Sequence, residues 1–249
     1  MDERDNGLLM IATHNTFDGI KPGDLGPWGW LWRVLHAGGS FEMAPGYRLG
    51  AGYPLIPWIG VMAVGYSFGA IVARPSAERR RWFLRLGLAT IVMFVMVRLL
   101  NVYGDPKPWS AQTNSLFTIL SFLDCHKYPP SLCYLLMTLG PALLLLAWLE
   151  RGTPGWLRPA LVFGRVPLFY YVLHLPLIHG LSLIVHWVRF GRADWLWGNT
   201  EGIKPPPGAG FDLVWVYVAW GAVLLILYPA CKWFAELKRR RRDAWLSYL

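Results

Sequence analysis

Gly164-Arg165-Val166-Pro167-Leu168-Phe169-Tyr170-Tyr171-Val172-Leu173-His174-Leu175-Pro176-Leu177-Ile178-His179 opens an apolar run that continues to Val188. A helix crosses a hydrocarbon core of about 30 Å in roughly 20 residues, so this stretch predicts a membrane span and an all-α integral membrane protein. It also carries Arg165, three histidines (His174, His179 and His186) and two prolines, none of which an anchor needs. Ionisable groups at membrane depth tend to face a cavity or a partner. Neutral histidine can equally hydrogen-bond between helices, and an arginine near a helix end can snorkel to the interface. His174 and His179 therefore stand as candidate reacting groups and Arg165 as a candidate anion-binding group, each beside a purely structural alternative.

Composition supports the membrane class. The 249 residues are 55% hydrophobic and 16% charged, with 15 tryptophans, unlike a soluble domain of this length. The net charge of +9 resembles a nucleic-acid signature. Its basic residues, however, sit in short loops and a tail beside apolar spans, with no nucleic-acid reader motif, so no nucleic-acid partner is expected. Cys125, Cys133 and Cys231 are too few and too scattered for a disulfide framework. A cleavable signal peptide is not visible, because Asp2-Glu3-Arg4-Asp5-Asn6 is followed by an apolar run of only Leu8 to Ala12.

Outward from the opening stretch, the chain reads as one membrane domain over residues 1–249. Its five spans lie at about 53–73, 82–100, 128–149, 160–188 and 211–234, with a basic tail at 235–249. Residues 13–52, rich in Gly, Pro and Trp, read as an interfacial loop. His14, Asn15 and Asp18 form a polar knot at its start, either a solvated Asx turn or part of a site. Gly65 and Gly69 in the first span have the spacing that lets another helix approach closely. Between the second and third spans, Asn114 caps a short apolar segment ending at Leu123, expected to be an interfacial or re-entrant helix. Gly140-Pro141 invites a kink in the third span.

Basic residues orient the chain. Arg74, Arg79, Arg80, Arg81, Arg85, Arg151, Arg158, Lys232, Lys238 and arginines 239 to 242 fall on one side, thirteen in all. Lys21, Arg33, Arg48, Lys107, Lys127, Arg189, Arg192 and Lys204, eight in all, fall on the other in longer loops. The positive-inside rule then puts the C-terminus in the cytoplasm, where the tail also meets anionic lipid. In the fourth span Arg165 lies near the cytoplasm, His174 about 13 Å further along and His179 about 21 Å. At 100° per residue Arg165, Val172, His179 and His186 share a stripe that His174 leaves.

There is no phosphate-binding glycine loop, CxxC pair or HExxH in the chain. Cys125-His126 lacks further ligands, and outside the fourth span only His14, His36 and His126 could serve a haem. Neither metal nor haem is expected. A histidine in a membrane cavity can act as a general base, and a cytoplasm-side arginine can hold phosphate. Together they suit transfer from a phosphorylated cytosolic donor to an acceptor on the other side.

Tyr53-Pro54-Leu55-Ile56-Pro57-Trp58, Asn101-Val102-Tyr103-Gly104-Asp105-Pro106, Lys127-Tyr128-Pro129-Pro130-Ser131, Leu139-Gly140-Pro141 and Gly164-Arg165-Val166-Pro167 resemble the bacterial DUF1624 family. That family is related to the catalytic domain of heparan-alpha-glucosaminide N-acetyltransferase. The resemblance covers nearly the whole chain after Leu8. It implies a bacterial inner-membrane acyltransferase moving an acetyl or acyl group from cytosolic acetyl-CoA to a sugar amine or hydroxyl at the external face. On that reading Arg165 and Arg158 hold CoA phosphates, while His14, Asn15, Asp105 and Lys127 meet the acceptor.

Relatives open with additional spans that supply their proposed catalytic histidine. This chain is expected to be a C-terminal portion, and its catalytic residue is unassigned beyond the candidates His174 and His179, which do not occupy the family position. Expected partners are the bilayer and a small-molecule or saccharide acceptor, with a homo-oligomer left open. A transporter or lipid-handling protein, working without CoA, and a non-catalytic membrane remnant are the competing readings.

Overall fold

The computed structural model describes residues 3–197 and 204–241. Contacts divide the chain into two compact units, Met1–Gly152 and Thr153–Leu249. Helices dominate, and five of them are long and apolar enough to cross a membrane. Little of that apolar surface is covered within the chain; in the fourth such helix none of the most apolar window is buried. Contiguous exposed apolar faces of this size suit lipid.

The first unit begins with α1 (Glu3–Thr13), then short helical turns that include α2 (Gly29–Trp32) and a π-type turn over Arg33–Ala37. A hairpin of β1 (Gly39–Ala44) and β2 (Tyr47–Ala51) follows, paired antiparallel, with Gly46 at its tip donating to Glu42 Oε1. The interfacial loop read over 13–52 thus contains a small sheet, the one departure from an all-α chain among the described residues. Then come α3 (Leu55–Val72), α4 (Ser76–Leu100), α5 (Ser115–Leu123) and α6 (Leu132–Leu149). The short helix at 115–123 forms as expected, with Asn114 Oδ1 accepting from the Phe117 amide at 2.8 Å. The third span is shorter than read, because Lys127 to Pro130 form a turn and Ser131 caps α6 by accepting from the Tyr134 amide.

Helix contact in this unit runs through glycines. A Cβ on Gly87 would lie 2.8 Å from Leu144 Cδ2, and one on Gly140 would lie 2.6 Å from Ile91 Cγ1, so α4 and α6 touch almost backbone to backbone. Close approach of this kind replaces the hydrophobic drive that lipid does not supply. Gly7 of α1 meets Gly60 of α3 in the same way. Gly65 and Gly69, the pair singled out in the sequence, are exposed, and no described atom lies within 4 Å of a Cβ built on either. The packing glycines are therefore others than those the spacing suggested. At one end of α4, Arg79 grips Glu150, the residue that caps the C-terminus of α6, with two hydrogen bonds of 2.6 and 2.8 Å.

At the other end of α4, Arg98 is 2% exposed and donates to the carbonyls of Lys107, Ser121, Phe122 and Asp124. Three of these close the C-terminal turn of α5, where carbonyls lack helical partners and a cation is favoured. The Asp105 carboxylate, equally buried, lies 3.7 Å from the guanidinium.

The second unit holds α7 (Arg158–Arg165), α8 (Pro167–Phe190) and α9 (Leu213–Arg240). The single span read over 160–188 is two helices, a correction with a local cause. Pro167 pushes the preceding residue out of helical conformation, and Val166 sits at φ −136°, ψ 51°. Val166 is fully buried with Val223, Leu227, Cys231 and Phe234, and Phe169 stacks on Phe234 at 4.2 Å. The break removes Arg165 from the stripe of His179 and His186. The basic run begins inside α9, which continues to Arg240; residues 242–249 of the expected tail lie outside the described residues.

Arg98→Ala removes four hydrogen bonds and leaves Asp105 buried without its cation. The expected loss is about 3–5 kcal/mol, measured as a fall in the midpoint of denaturant or thermal unfolding of the detergent-purified chain. Substitution of exposed Lys107 should leave that midpoint nearly unchanged.

Candidate functional site

The polar knot is the place where described residues gather chemistry. After α1 the chain tightens into a 3-10 turn over His14–Phe17, which turns His14 and Asn15 inward. Asn15 then works in two directions. Its Oδ1 accepts from the Leu132 amide at 2.9 Å, tying it to the start of α6. Its Nδ2 donates to Asp18 Oδ2 at 2.8 Å. The other carboxylate oxygen, Oδ1, is 3.1 Å from Nε2 of His36, carried in by the π-type turn at 33–37. Turns of this kind, with one extra residue, often mark functional positions. A carboxylate only accepts, so Nε2 bears the proton of this bond.

His14 and His36 are buried, at 0% and 2% exposure. Their rings meet edge to face at 5.8 Å, and Trp32 and Phe17 flank His36 at 5.1 and 6.2 Å. Neither nitrogen of His14, nor Nδ1 of His36, has a hydrogen-bond partner among the described residues. The Pro130 carbonyl lies close to the His14 ring without hydrogen-bond geometry. Burial first, and repulsion from His36 second, lower the His14 pKa to about 4, against an opposing pull from Asp18. The Asp18 carboxyl is raised by burial, but hydrogen bonds from His36 and Asn15 outweigh this and hold it below its ordinary value. Burial first, and the Asp18 charge second, raise the pKa of the Tyr103 hydroxyl, which donates to the Ala12 carbonyl at 2.6 Å.

No family model, curated protein or solved structure matches this chain. Its chemistry therefore has to be read from the residues themselves. A neutral imidazole, a carboxylate and a carboxylate-bonded imidazole beside the Phe17 and Trp32 rings are suited to proton transfer or to metal ligation.

Of the acceptor-side residues read from the sequence, His14 and Asn15 belong to this site. Asp105 does not touch it, but accepts from Ser131 Oγ at 2.6 Å and from the His126 and Lys107 amides. Since Ser131 precedes the Leu132 that Asn15 holds, Asp105 supports the knot at one remove. Lys127 is exposed, with its ammonium 5.0 Å above the Tyr128 ring.

In the second unit, Arg165 lines a cavity of about 510 Å³ with Lys232, Lys238, Arg239 and Glu236. Arg158, at the start of α7, is not among its lining residues. His174 Nδ1 lies 2.6 Å from the Tyr171 carbonyl and its ring stacks on Tyr170, so its own helix engages it. His179 is exposed and meets Trp197 edge to face at 5.4 Å. His186 is buried between the carbonyls of Ser182 and Ala209.

His36 was missing from the candidate residues. The signal available was the i, i+4 pair His14 and Asp18 with a further histidine in the same Trp-rich loop. Its convergence on Asp18 needs the turn at 33–37, which no spacing announces.

His14 is neutral in the fold, whereas an unfolded histidine protonates near 6.5, so between those values the unfolded chain binds more protons. Stability contributed by His14 is complete above about pH 6.5 and is lost as pH falls toward 4, by about 3 kcal/mol at most. Tryptophan-monitored thermal unfolding in chelator-containing buffer should show this decline, and His14→Asn should flatten it.

Proposed function

We propose that this chain is a multi-pass protein of the bacterial inner membrane, with a cytoplasmic C-terminus, that transfers an acyl group from acyl-CoA to an amine or hydroxyl of a saccharide-like acceptor. The observation that carries the reading is the Asp18–His36 pair, 3.1 Å apart with His36 buried and Asp18 partly exposed, at the end of the first unit remote from its arginine-rich Arg79–Glu150 end. A carboxylate on one ring nitrogen fixes the tautomer and leaves the other nitrogen to take a proton.

In the transfer, the acceptor nitrogen or oxygen attacks the thioester carbonyl and its proton passes to His36 Nδ1. The carbon–sulfur bond breaks, and the thiolate leaves with that proton. Asp18 stabilises the imidazolium while it exists. His14, neutral and adjacent, adds no second positive charge at neutral pH. For the donor, the cavity beside Arg165 offers four cations against the single carboxylate of Glu236, a composition suited to phosphate groups. The family resemblance of the sequence motifs supports the same donor.

The test uses detergent-purified or nanodisc-reconstituted protein with radiolabelled acetyl-CoA and an amino-sugar acceptor. Wild type should bind the donor and label the acceptor. His36→Ala should lower transfer by about 10²–10⁴-fold while donor binding persists. Arg165→Ala combined with Lys232→Ala should weaken donor binding and leave the unfolding midpoint in place. Absence of both binding and transfer in wild type would sink the reading, and solute movement without CoA would favour a transporter.

A further inference from the structure

We infer that His14, Asp18 and His36 form a binding site for one divalent transition-metal ion, with zinc the closest match to the donor set. One ligand-type atom from each of the three side chains lies within 4.8 Å of the others. The His36 Nε2 to Asp18 Oδ1 separation is 3.1 Å. Two ligands at about 2.0–2.1 Å from a tetrahedral zinc sit roughly 3.3 Å apart, so this pair already has the required spacing. The ligand-type atom of His14 lies within 4.8 Å of both.

Three further features distinguish this cluster from an incidental meeting of polar groups. First, both His14 nitrogens are buried with no hydrogen bond among the described residues. A buried polar atom with no partner carries its full desolvation penalty, and donation of one His14 lone pair to a metal removes it for that nitrogen. Second, the supporting hydrogen bonds have the form that ligands need. Asn15 holds the far oxygen of Asp18 at 2.8 Å and is itself fixed by the Leu132 amide. Partners of this type orient ligand carboxylates, and their loss typically weakens metal binding. Third, the surroundings from Phe17 and Trp32 are aromatic, which limits water.

The donors are two imidazoles and one carboxylate. Such a set suits zinc and other first-row ions rather than calcium or magnesium, which prefer all-oxygen shells. Three protein ligands leave a fourth position open, the pattern of sites that also bind water or substrate.

The inference does not rest on the acyl-transfer reading. A metal replaces the proton that His36 shares with Asp18, so occupancy and base catalysis exclude one another, and zinc should inhibit any transfer that depends on His36.

The decisive experiment uses the 249-residue chain, tag-free in detergent, stripped with a chelator and titrated with Zn²⁺ or Co²⁺ alone. Expected results are saturable uptake of one equivalent, an upward shift in unfolding midpoint, and an intense visible Co²⁺ spectrum of low coordination number. Asp18→Asn and His36→Asn should each abolish the spectrum. Asn15→Ala should weaken affinity by about 10–100-fold, a graded loss that separates ligation from misfolding. His126→Ala and His179→Ala should change nothing. Uptake that is absent or non-saturable, or that survives in Asp18→Asn and His36→Asn, overturns the proposal. Metal binding without any acyl transfer would leave this site standing and remove the transfer reading; transfer that is indifferent to zinc, with no uptake, would do the reverse.

Discussion

Arg98 reaches the end of α4 with almost no water around it, and the surrounding chain is arranged to satisfy its guanidinium. Four carbonyls, three from the closing turn of α5, accept its hydrogens. Asp105 balances its charge and in turn holds Ser131 and the His126 amide. Ser131 caps α6, the next amide holds Asn15, and Asn15 aims Asp18 at His36. The cluster of His14, Asp18 and His36 is therefore the last link of a series that starts from one buried cation. A buried ion pair is poor evidence of net stabilisation, since desolvation offsets attraction. Its clearest effect here is to specify one arrangement of the segment between α4 and α6, alongside the packing of Phe122 on Phe94 and Trp109.

The helices around that loop meet by a different rule. Apolar side chains gain little from leaving lipid for each other, so packing depends on how closely backbones approach. Gly87 against Gly140 and Gly7 against Gly60 supply that approach, and much of the remaining apolar surface stays outward. In the second unit, the fully buried Val166 plays a comparable organising role, because the residue that interrupts the helix is also the one that fills the core.

The apolar spans were legible because their signal is local: length and composition suffice. The short capped helix after Asn114 was legible for the same reason. The split at Val166 was also written in the chain, in the dipeptide with Pro167, but continuous hydrophobicity masked it. The hairpin at 39–51 sits in a segment whose glycines and tryptophans suggested only an interfacial loop. What stayed hidden depends on contacts between distant segments. Spacing picked out Gly65 and Gly69, whereas Gly87 and Gly140 lie on different helices and share no pattern. Likewise His14, Asn15 and Asp18 stood out as neighbours, while His36, 18 residues beyond Asp18, joins them only through a local widening of the backbone.

The Arg79–Glu150 bridge, taken with the glycine contact and the Arg98 cluster, fastens α4 and α6 near both ends and between. Two helices joined in this way cannot shear past each other by a turn without breaking all three contacts, and packed interfaces switch between discrete states rather than sliding. They behave as one strut. The segment from Thr13 to Gly52 lies outside that strut: the Asn15 to Leu132 hydrogen bond ties it to the start of α6, and α1 before it packs on α3 through Gly7 and Gly60 and on α6 through Ile11. The turns that carry His14 and His36 are thereby mechanically distinct from the helix pair that supports them.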